Sequence, residues 1–155
     1  MTIGIFYALA GAAIAMSAGI GSAIGVSRAG QASAALLSKD PSKFGSVLVL
    51  QLLPASQSIY GFVVAVFAFL ACGLMGGDVS AFPPDKGLAI IAACIPVGII
   101  GLVSAILQGN VAVACINLVG KQEGQMGKGI TMTVLVEIFA IFSFIISLLA
   151  LIFLM

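Results

Sequence analysis

Glu137 is an acidic residue that stands inside a long apolar stretch of this sequence. The stretch runs from residue 129 to residue 155 and holds no other charged side chain. A carboxylate near the centre of a bilayer costs at least about 2.5 to 3.5 kcal/mol on insertion scales, so acids inside membrane helices usually mark ion or proton pathways. A structural carboxyl, protonated or held by a neighbouring helix, is the alternative. The expected chemistry is reversible binding of a cation.

Two glutamines lie at the same predicted depth as this carboxyl. Gln57 lies 12 positions after the first residue of its uncharged run. Gln108 lies 13 positions before Lys121, and Glu137 lies 13 positions after Gly124. At about 1.5 Å per helical residue, all three side chains fall about 18 to 20 Å from one side of a membrane. Either glutamine alone could be an interhelical hydrogen-bonding residue, so the shared depth is what indicates a common site.

A hydroxyl and a phenol share a helix face with Gln57. Tyr60 follows Ser56 by four positions and Gln57 by three, and residues at these spacings are neighbours on a helix. With Glu137 they offer carboxylate, amide and hydroxyl oxygens, and oxygens of this kind replace the hydration shell of a hard monovalent cation in channel filters. A proton would need only the carboxyl, so proton binding stays open as the alternative.

Pro54 can add backbone oxygens to this group. Proline cannot donate a hydrogen bond to the carbonyl of Leu50, and its ring strains the preceding helical turn. The carbonyl groups from Leu50 to Leu53 would then be available as ligands. An ordinary proline kink is the competing interpretation.

The composition indicates that a lipid bilayer surrounds these residues. Of 155 residues, 62% are hydrophobic, and six basic and five acidic residues carry all the charge. A soluble domain is about one quarter charged, so the composition argues against a soluble enzyme. The net charge of +1 gives no reason to expect a nucleic-acid partner, because binding phosphates requires a basic face.

Four apolar runs can each cross a membrane as one helix. Residues 3–27, 45–77, 87–120 and 129–155 all exceed the roughly 20 residues that a bilayer-spanning helix requires. The joins are short and rich in turn-forming residues, at 38–43, 76–86 and 120–125. We therefore expect an all-α membrane protein whose four transmembrane helices form antiparallel hairpins.

The basic residues predict the orientation. Five of the six lie in or near the first and third joins, namely Arg28, Lys39, Lys43, Lys121 and Lys128. Cytoplasmic loops carry an excess of Lys and Arg. The chain is therefore expected to be a multi-pass protein of the cell membrane, with both termini and the middle join on the non-cytoplasmic side.

The two halves of the chain resemble each other. A shift of 82 positions, without a gap, aligns Lys39 with Lys121 and produces further matches along both halves. The chain is interpreted as two helical hairpin repeats, residues 1–77 and residues 78–155. Because each hairpin crosses the membrane twice, the repeats point the same way, unlike the inverted repeats of many transporters. This favours a rotationally repeated assembly.

The repeat leaves the first hairpin without a carboxyl. Under the same shift, Ala55 is equivalent to Glu137 and Val26 is equivalent to Gln108. The second hairpin alone carries the ion-binding glutamate. One cation is therefore expected for every four helices.

Residue size predicts where each helix packs. Between residues 8 and 35, 20 of 28 positions are Gly, Ala or Ser, whereas no glycine follows Gly129. Small residues let helices approach closely in lipid, and a helix rich in Phe, Ile and Leu suits lipid contact. We expect inner helices 1 and 3 and outer helices 2 and 4, with identical copies closing head to tail into a ring.

Three segments resemble a known family. Leu-Pro-Ala-Ser-Gln-Ser-Ile-Tyr-Gly-Phe at 53–62, Leu-Gln-Gly at 107–109 and Val-Glu-Ile-Phe-Ala at 136–140 look like the four-helix proteolipid (K or c) subunit of V-type rotary ATPases. The resemblance covers nearly the whole chain and is strongest to the bacterial sodium-translocating branch. It implies a rotor ring that turns against a positively charged stator subunit in the membrane.

The resemblance also implies a set of ligands and partners. Sodium would be held by the Glu137 carboxylate, the Gln57 and Gln108 amides, the Ser56 hydroxyl and the Leu53 carbonyl. Tyr60 would hydrogen-bond the carboxylate. The best-known sodium form has threonine where this chain has Ser56. Central-shaft subunits would contact the joins at 38–44 and 120–125, and ATP hydrolysis would occur on other subunits, because this chain has no nucleotide motif.

Three other functions fit parts of the pattern. The same rotor could carry protons. A small four-helix multidrug exporter also uses a membrane glutamate, although members of that class usually place it in the first helix and lack the duplication. A purely structural proteolipid or pore would not need Glu137 for ion movement.

Overall fold

The computed structural model describes residues 2–76 and 82–155, and helices account for nearly all of them. Six α-helices occur in the described chain: α1 Ile3–Met16, α2 Ala18–Leu37, α3 Phe44–Leu52, α4 Ser56–Ala71, α5 Pro84–Lys121 and α6 Met126–Leu154. The 3-10 turns Pro41–Lys43 and Leu53–Ala55 precede α3 and α4. The described residues contain no strand, so the all-α prediction is confirmed.

These helices combine into four spans, which are the membrane-crossing segments predicted above. Within the described ranges the spans are Ile3–Leu37, Pro41–Ala71, Pro84–Lys121 and Met126–Leu154. The third span has 38 residues and is therefore about 57 Å long. It extends beyond a hydrocarbon layer of about 30 Å. Part of the predicted middle join, and the predicted repeat boundary between residues 77 and 78, lie outside the described residues.

The first span is interrupted at Ser17, between α1 and α2. The Ser17 hydroxyl donates to the carbonyl oxygen of Ile14 at 2.7 Å and lies 3.1 Å from the carbonyl oxygen of Gly98 in the third span. A serine hydroxyl that bonds the preceding turn competes with the helical hydrogen bonds. The interruption therefore coincides with a tie between the first and third spans.

Pro54 interrupts the second span. It lies in the 3-10 turn Leu53–Ala55, between α3 and α4, because a proline inside a helix removes one hydrogen bond and strains the turn before it. Next to this turn, the Ser58 N–H donates to Ser22 Oγ of the first span at 3.0 Å. The interrupted segment is thereby fastened to its neighbour.

Pro96 in the third span is accommodated in a similar way. The span continues through this proline as one helix, α5. The N–H of Val97 donates to Ser147 Oγ of the fourth span at 3.1 Å. A serine from a neighbouring span thus provides bonding beside each of the two interior prolines.

Glycines let the first and third spans approach each other closely. A Cβ atom at Gly21 would meet the carbonyl oxygen of Leu102, and a Cβ atom at Gly109 would meet the Cα of Gly25. Membrane helices lack a hydrophobic drive for association, so such close backbone contact is an important source of their packing energy. This contact explains the many small residues of the first span.

Two apolar clusters enclose a layer of polar side chains. One cluster is built around Val64 and Leu151, and the other around Leu50 and Ile116. Between them along the spans lie these buried polar residues: Ser22, Gln57, Ser104, Gln108 and Thr133. The layer is therefore separated from both ends of the bundle by apolar packing.

The first and third joins meet at one end of the bundle. Lys43 Nζ lies 3.5 Å from Glu123 Oε1. In the first join, the hydroxyl of Ser42 donates to Asp40 Oδ1 at 2.6 Å, and this hydrogen bond lowers the pKa of the Asp40 carboxyl. Both joins carry charged side chains, as expected for segments in water.

Candidate ion-binding site

The phenol of Tyr60 links the second span to the carboxyl of Glu137 in the fourth span. Its hydroxyl donates to Glu137 Oε1 at 2.6 Å, a length typical of O–H bonds to an ionised acceptor. The ring of Tyr60 stacks on Phe144, with ring centres 5.0 Å apart and 25° between the ring planes. Packing fixes the phenol, and the phenol in turn orients the half-buried carboxyl.

A second connection passes through two buried amides. Gln57 Nε2 donates to Gln108 Oε1 at 2.6 Å, and Gln108 Nε2 donates to the carbonyl oxygen of Thr133 at 3.1 Å. Both glutamine side chains are completely buried, with 0% exposure. Because buried polar groups require partners, this series of bonds holds the second, third and fourth spans in one register.

The two connections lie one helical turn apart. Gln57 and Tyr60 are three positions apart on α4, and Thr133 and Glu137 are four positions apart on α6. Residues at these spacings stack on one helix face, with Cβ atoms about 5 to 6 Å apart. The carboxyl and the two amides therefore lie within about one helical turn of each other, between three spans.

The Leu53 carbonyl oxygen is less available to bind a cation than the sequence suggested. It accepts hydrogen bonds from the Ser56 hydroxyl, at 3.1 Å, and from the Ser56 N–H. The 3-10 turn around Pro54 causes this difference, because its bonds span three positions rather than four. The Ser56 hydroxyl also lies 3.4 Å from Gln57 Oε1. A cation could bind the Leu53 carbonyl oxygen and Gln57 Oε1 together only if the Ser56 hydroxyl turned its proton away from them.

The charge of the site suits a monovalent cation. Glu137 supplies one carboxylate, whereas Gln57, Gln108 and Ser56 supply neutral oxygens. In the part of the chain that the structure describes, no group of three His, Cys, Asp or Glu residues could hold a metal ion. A doubly charged ion would be left with an excess positive charge in a low-dielectric layer, which is costly.

Sequence reasoning missed three residues that support the site. Thr133 provides the carbonyl that accepts from Gln108, while its own hydroxyl donates to the Gly129 carbonyl oxygen at 2.8 Å. The Ser104 hydroxyl donates to the carbonyl oxygen of Val136 at 3.0 Å, and Phe144 stacks on Tyr60. Thr133 and Ser104 lie four positions before Glu137 and Gln108, so helical spacing alone could have identified both.

Comparison with known proteins gives concordant matches. The ATP synthase C-subunit family matches two segments of the chain, residues 10–68 and 91–150. V-type sodium ATPase subunit K of Enterococcus hirae is 43% identical over 143 residues, which cover 92% of this chain and 88% of that relative. A-type ATP synthase subunit K of Methanocaldococcus jannaschii is 36% identical over 143 residues, which cover 92% of this chain and 60% of that relative.

The residues that match the family lie mainly in the four spans of the fold. The matched segments cover most of each of the four spans, including the polar layer that contains Gln57, Gln108 and Glu137. The identity to the first relative extends over almost all of both chains. On these grounds, the chain belongs to the ATP synthase C-subunit family.

Proposed function

We propose that this chain is the sodium-binding rotor subunit of a V-type ATPase. Subunits of this family form rings of identical copies and move ions, without being the catalytic part of their ATPase complexes. The relative from E. hirae is named as a subunit of a sodium ATPase. The observation that carries the proposal for sodium is the buried Gln57–Gln108 pair, which lies one helical turn from the bond between Tyr60 and Glu137.

The buried amides favour sodium over protons. A proton binds the carboxyl alone, and a proton site could be lined by apolar side chains. The amides bond to each other and to the Thr133 carbonyl, whereas Gln57 Oε1 makes a long contact of 3.4 Å with the Ser56 hydroxyl, a weak interaction that a cation can replace. Their oxygens, together with the carboxylate, provide the shell of oxygen ligands that a dehydrated sodium ion requires.

The proposed ligands come from three of the four spans. They are the Glu137 carboxylate, the side-chain oxygens of Gln57 and Gln108, the Ser56 hydroxyl and the Leu53 carbonyl. On binding, the Ser56 hydroxyl turns its proton away from Gln57 and Leu53, so that all three oxygens face the ion. Tyr60 keeps its hydrogen bond to the carboxylate and holds it in place.

Charge neutrality links this site to rotation. With sodium bound, the carboxylate is neutralised and can pass along lipid, whereas an empty carboxylate there is costly. The ion is released where a positive charge on a stationary membrane subunit pairs with Glu137, and a new ion binds after the ring has turned. Each charge that crosses is worth about 2.3 kcal/mol per 100 mV of membrane potential. The number of sites in the ring therefore sets how much ion-gradient energy corresponds to one full rotation.

We also propose that the chain is a duplicated hairpin with one ion-binding glutamate, in its second half. The separate family matches at 10–68 and 91–150 support this duplication. Ala55 and Val26 replace Glu137 and Gln108 in the first hairpin. Each chain therefore carries one sodium ion.

The basic joins set the proposed orientation and the contact with the shaft. The close approach of Lys43 and Glu123 supports a common side for the first and third joins. Their basic residues place that side in the cytoplasm, and both termini lie on the other side. Central-shaft subunits of the complex would contact the joins at 38–44 and 120–125.

ATP-driven uptake of radioactive sodium into vesicles tests this function. The complete ATPase containing this chain is reconstituted and assayed with and without a protonophore. We expect sodium uptake that continues when the protonophore collapses any proton gradient, and that is lost when the chain carries Glu137→Gln. Uptake that the protonophore abolishes, or acidification of the vesicles without sodium, would support a proton rotor instead.

A further inference from the structure

An apolar groove lies on the outside of the chain, between the third and fourth spans. Five large side chains line this third-span groove: Ile99, Ile100, Val103, Leu107 and Phe139. Each of the five is at least 42% exposed. Lipid can cover side chains of this kind, so their exposure alone does not identify what binds there. The internal repeat does.

The counterparts of these five residues in the first hairpin bind the third span. A shift of 82 positions relates the five, in the same order, to Ser17, Ala18, Gly21, Gly25 and Gln57. Ser17 and Gln57 form hydrogen bonds with the third span, and the three small residues pack against it. Four of the five are buried. The third-span groove therefore repeats a surface that binds a helix inside the chain.

The first span carries the counterpart of that bound helix. The third span contacts the first hairpin through Gly98, Leu102, Ala105 and Gly109. The same shift relates these four to Met16, Ile20, Ala23 and Ser27, which we call the first-span stripe. Spacings of four, three and four positions place the stripe on one helix face, and all four residues are exposed. The stripe has the positions required to fill the third-span groove of another copy.

An aromatic pair fits the same relation. Phe62 lines a groove between the first and second spans and is 58% exposed. Its counterpart Phe144 stacks on Tyr60 inside the chain. The counterpart of Tyr60 is Phe142, which is 61% exposed. The repeat therefore predicts that Phe142 of one copy stacks on Phe62 of the next.

We infer that each copy seats its first-span stripe in the third-span groove of a neighbouring copy, in the register that the two hairpins have within one chain. This contact depends on the duplication proposed above and on the ring of identical copies that the family forms. A head-to-tail contact uses two different faces and can close into a ring. The interface between hairpins thus continues from copy to copy.

The contact between copies is wider than the contact within a copy. Within one chain, Gly21 packs against Leu102, and Gly25 packs against Gly109. Between copies, the counterparts are Val103 against Ile20, and Leu107 against Ser27. Larger side chains at a helix contact hold the helix axes farther apart. The inner layer of the ring therefore has alternating narrow and wide gaps.

The wide gap is apolar at the positions where the narrow one is polar. The pair formed by Gln57 and Gln108 becomes Phe139 and Val26, and the pair formed by Tyr60 and Glu137 becomes Phe142 and Ala55. These counterparts offer no side-chain oxygen to a cation. Apolar packing between copies thereby separates each ion site from the next.

Disulfide formation between copies tests the register. Inside the chain, a Cβ atom at Gly101 would lie 2.9 Å from the Cβ atom of Ala18, and the counterparts of these residues are Gly19 and Ile100. A modest widening brings this pair into the range of about 3.5 to 4.5 Å that a disulfide requires. We expect the Gly19→Cys/Ile100→Cys ring, oxidised in mild detergent, to give a ladder of covalent dimers, trimers and larger species on a nonreducing gel.

A matched control separates this register from random collision. Gly19→Cys/Ile145→Cys moves the second cysteine to a fourth-span residue that is 44% exposed, against 42% for Ile100, and that lies outside both grooves. It should give no ladder, and neither should the single variants, because the native cysteines are buried. Size-exclusion chromatography first establishes that each variant forms a ring.

A double-mutant cycle tests the contact without introduced cysteines. Phe62→Ala and Phe142→Ala should each lower the temperature at which the ring dissociates. The double variant should lower it by less than the sum, because residues in contact are not additive. Phe44→Ala, at a residue that is 59% exposed and outside both grooves, should leave this temperature unchanged.

Three results would overturn the inferred contact. They are an assembled Gly19→Cys/Ile100→Cys ring without a ladder, an equal ladder from Gly19→Cys/Ile145→Cys, and additive effects of Phe62→Ala and Phe142→Ala. Lipid or another membrane protein would then cover the third-span groove. Oxidation is carried out without ATP or sodium, so a ladder together with failed sodium uptake would refute the proposed function and leave this contact standing.

Discussion

The hydroxyl of Tyr60 lies 2.6 Å from Oε1 of Glu137, although the two residues are 77 positions apart in the chain. Tyr60 is held by its stack on Phe144, and Glu137 sits one turn beyond Thr133, which accepts a hydrogen bond from Gln108. The second span therefore fixes the direction in which the carboxyl of the fourth span points. A preorganised carboxylate loses less conformational freedom when an ion binds.

Replacing Tyr60 with phenylalanine should weaken sodium binding without abolishing it. The ring and its stack on Phe144 remain, but the hydroxyl that orients Glu137 is lost. We expect the sodium dissociation constant to rise about five- to tenfold, or about 1 to 1.4 kcal/mol, in equilibrium binding of radioactive sodium to the purified ring. Tyr7→Phe, at the chain's other tyrosine, is the control and should have no effect. An unchanged constant for Tyr60→Phe would show that the phenol does not position the carboxylate.

Replacing Gln57 with leucine should separate carboxyl chemistry from sodium binding. The variant loses one oxygen ligand and leaves the buried Gln108 without its amide donor, at a cost of about 1 to 3 kcal/mol in stability. Glu137 should still react with a carbodiimide, but the sodium concentration needed to halve the reaction rate should rise at least tenfold. Gln51→Leu, at a half-buried position of α3, is the matched control. If sodium protected the Gln57→Leu ring as well as the unaltered ring, the amide would not be a ligand.

Glu137→Gln should abolish sodium binding while the ring still assembles. Glutamine keeps the shape of the side chain and can still accept the hydrogen bond from Tyr60, but it lacks the charge that neutralises the ion. Binding of radioactive sodium and gel filtration of the ring measure the two effects. The control is Glu123→Gln, which removes an acid that is 94% exposed in the third join. Ion movement that persisted in Glu137→Gln would favour a structural proteolipid or a pore.

Gly21→Ala should destabilise the contact between the first and third spans. The added methyl group would collide with the backbone of Leu102, including its carbonyl oxygen, and overpacking of this kind costs about 1 to 3 kcal/mol. We expect a lower midpoint for thermal unfolding of the ring in detergent. Gly127→Ala adds the same group where no atom lies within 4 Å, and it should be neutral or slightly stabilising because alanine favours helices. Equal midpoints for the two variants would contradict the tight contact.

The number of spans and the depth of the polar residues could be predicted from the sequence because both depend on distance along a helix. Long apolar runs require the bilayer, and a rise of about 1.5 Å per residue converts position into depth. The spacing of Gln57, Gln108 and Glu137 needed no knowledge of how the helices are rotated. Thr133 lies one turn from Glu137, so helical spacing could also have predicted that it lies near the site.

The direction of each side chain could not be predicted, because it depends on how the helices rotate and pack against one another. The interruption at Ser17 coincides with a contact with Gly98, which lies 81 positions away. The bond between the Ser56 hydroxyl and the Leu53 carbonyl depends on the local winding after Pro54. The bond between Arg28 and Asn110 joins residues 82 positions apart. The proposed repeat aligns these two positions, but an alignment does not predict that their side chains touch.

Labelling of Glu137 with dicyclohexylcarbodiimide tests the shared site most directly. The purified ring is treated at fixed pH with equal concentrations of sodium or potassium, and modified residues are identified by mass spectrometry. We expect the reagent to modify Glu137 alone, and sodium but not potassium to slow the reaction, because the bound ion occupies the carboxylate. If neither ion protected Glu137 and a change in pH alone altered the rate, the carboxyl would bind protons and the proposed sodium site would be wrong.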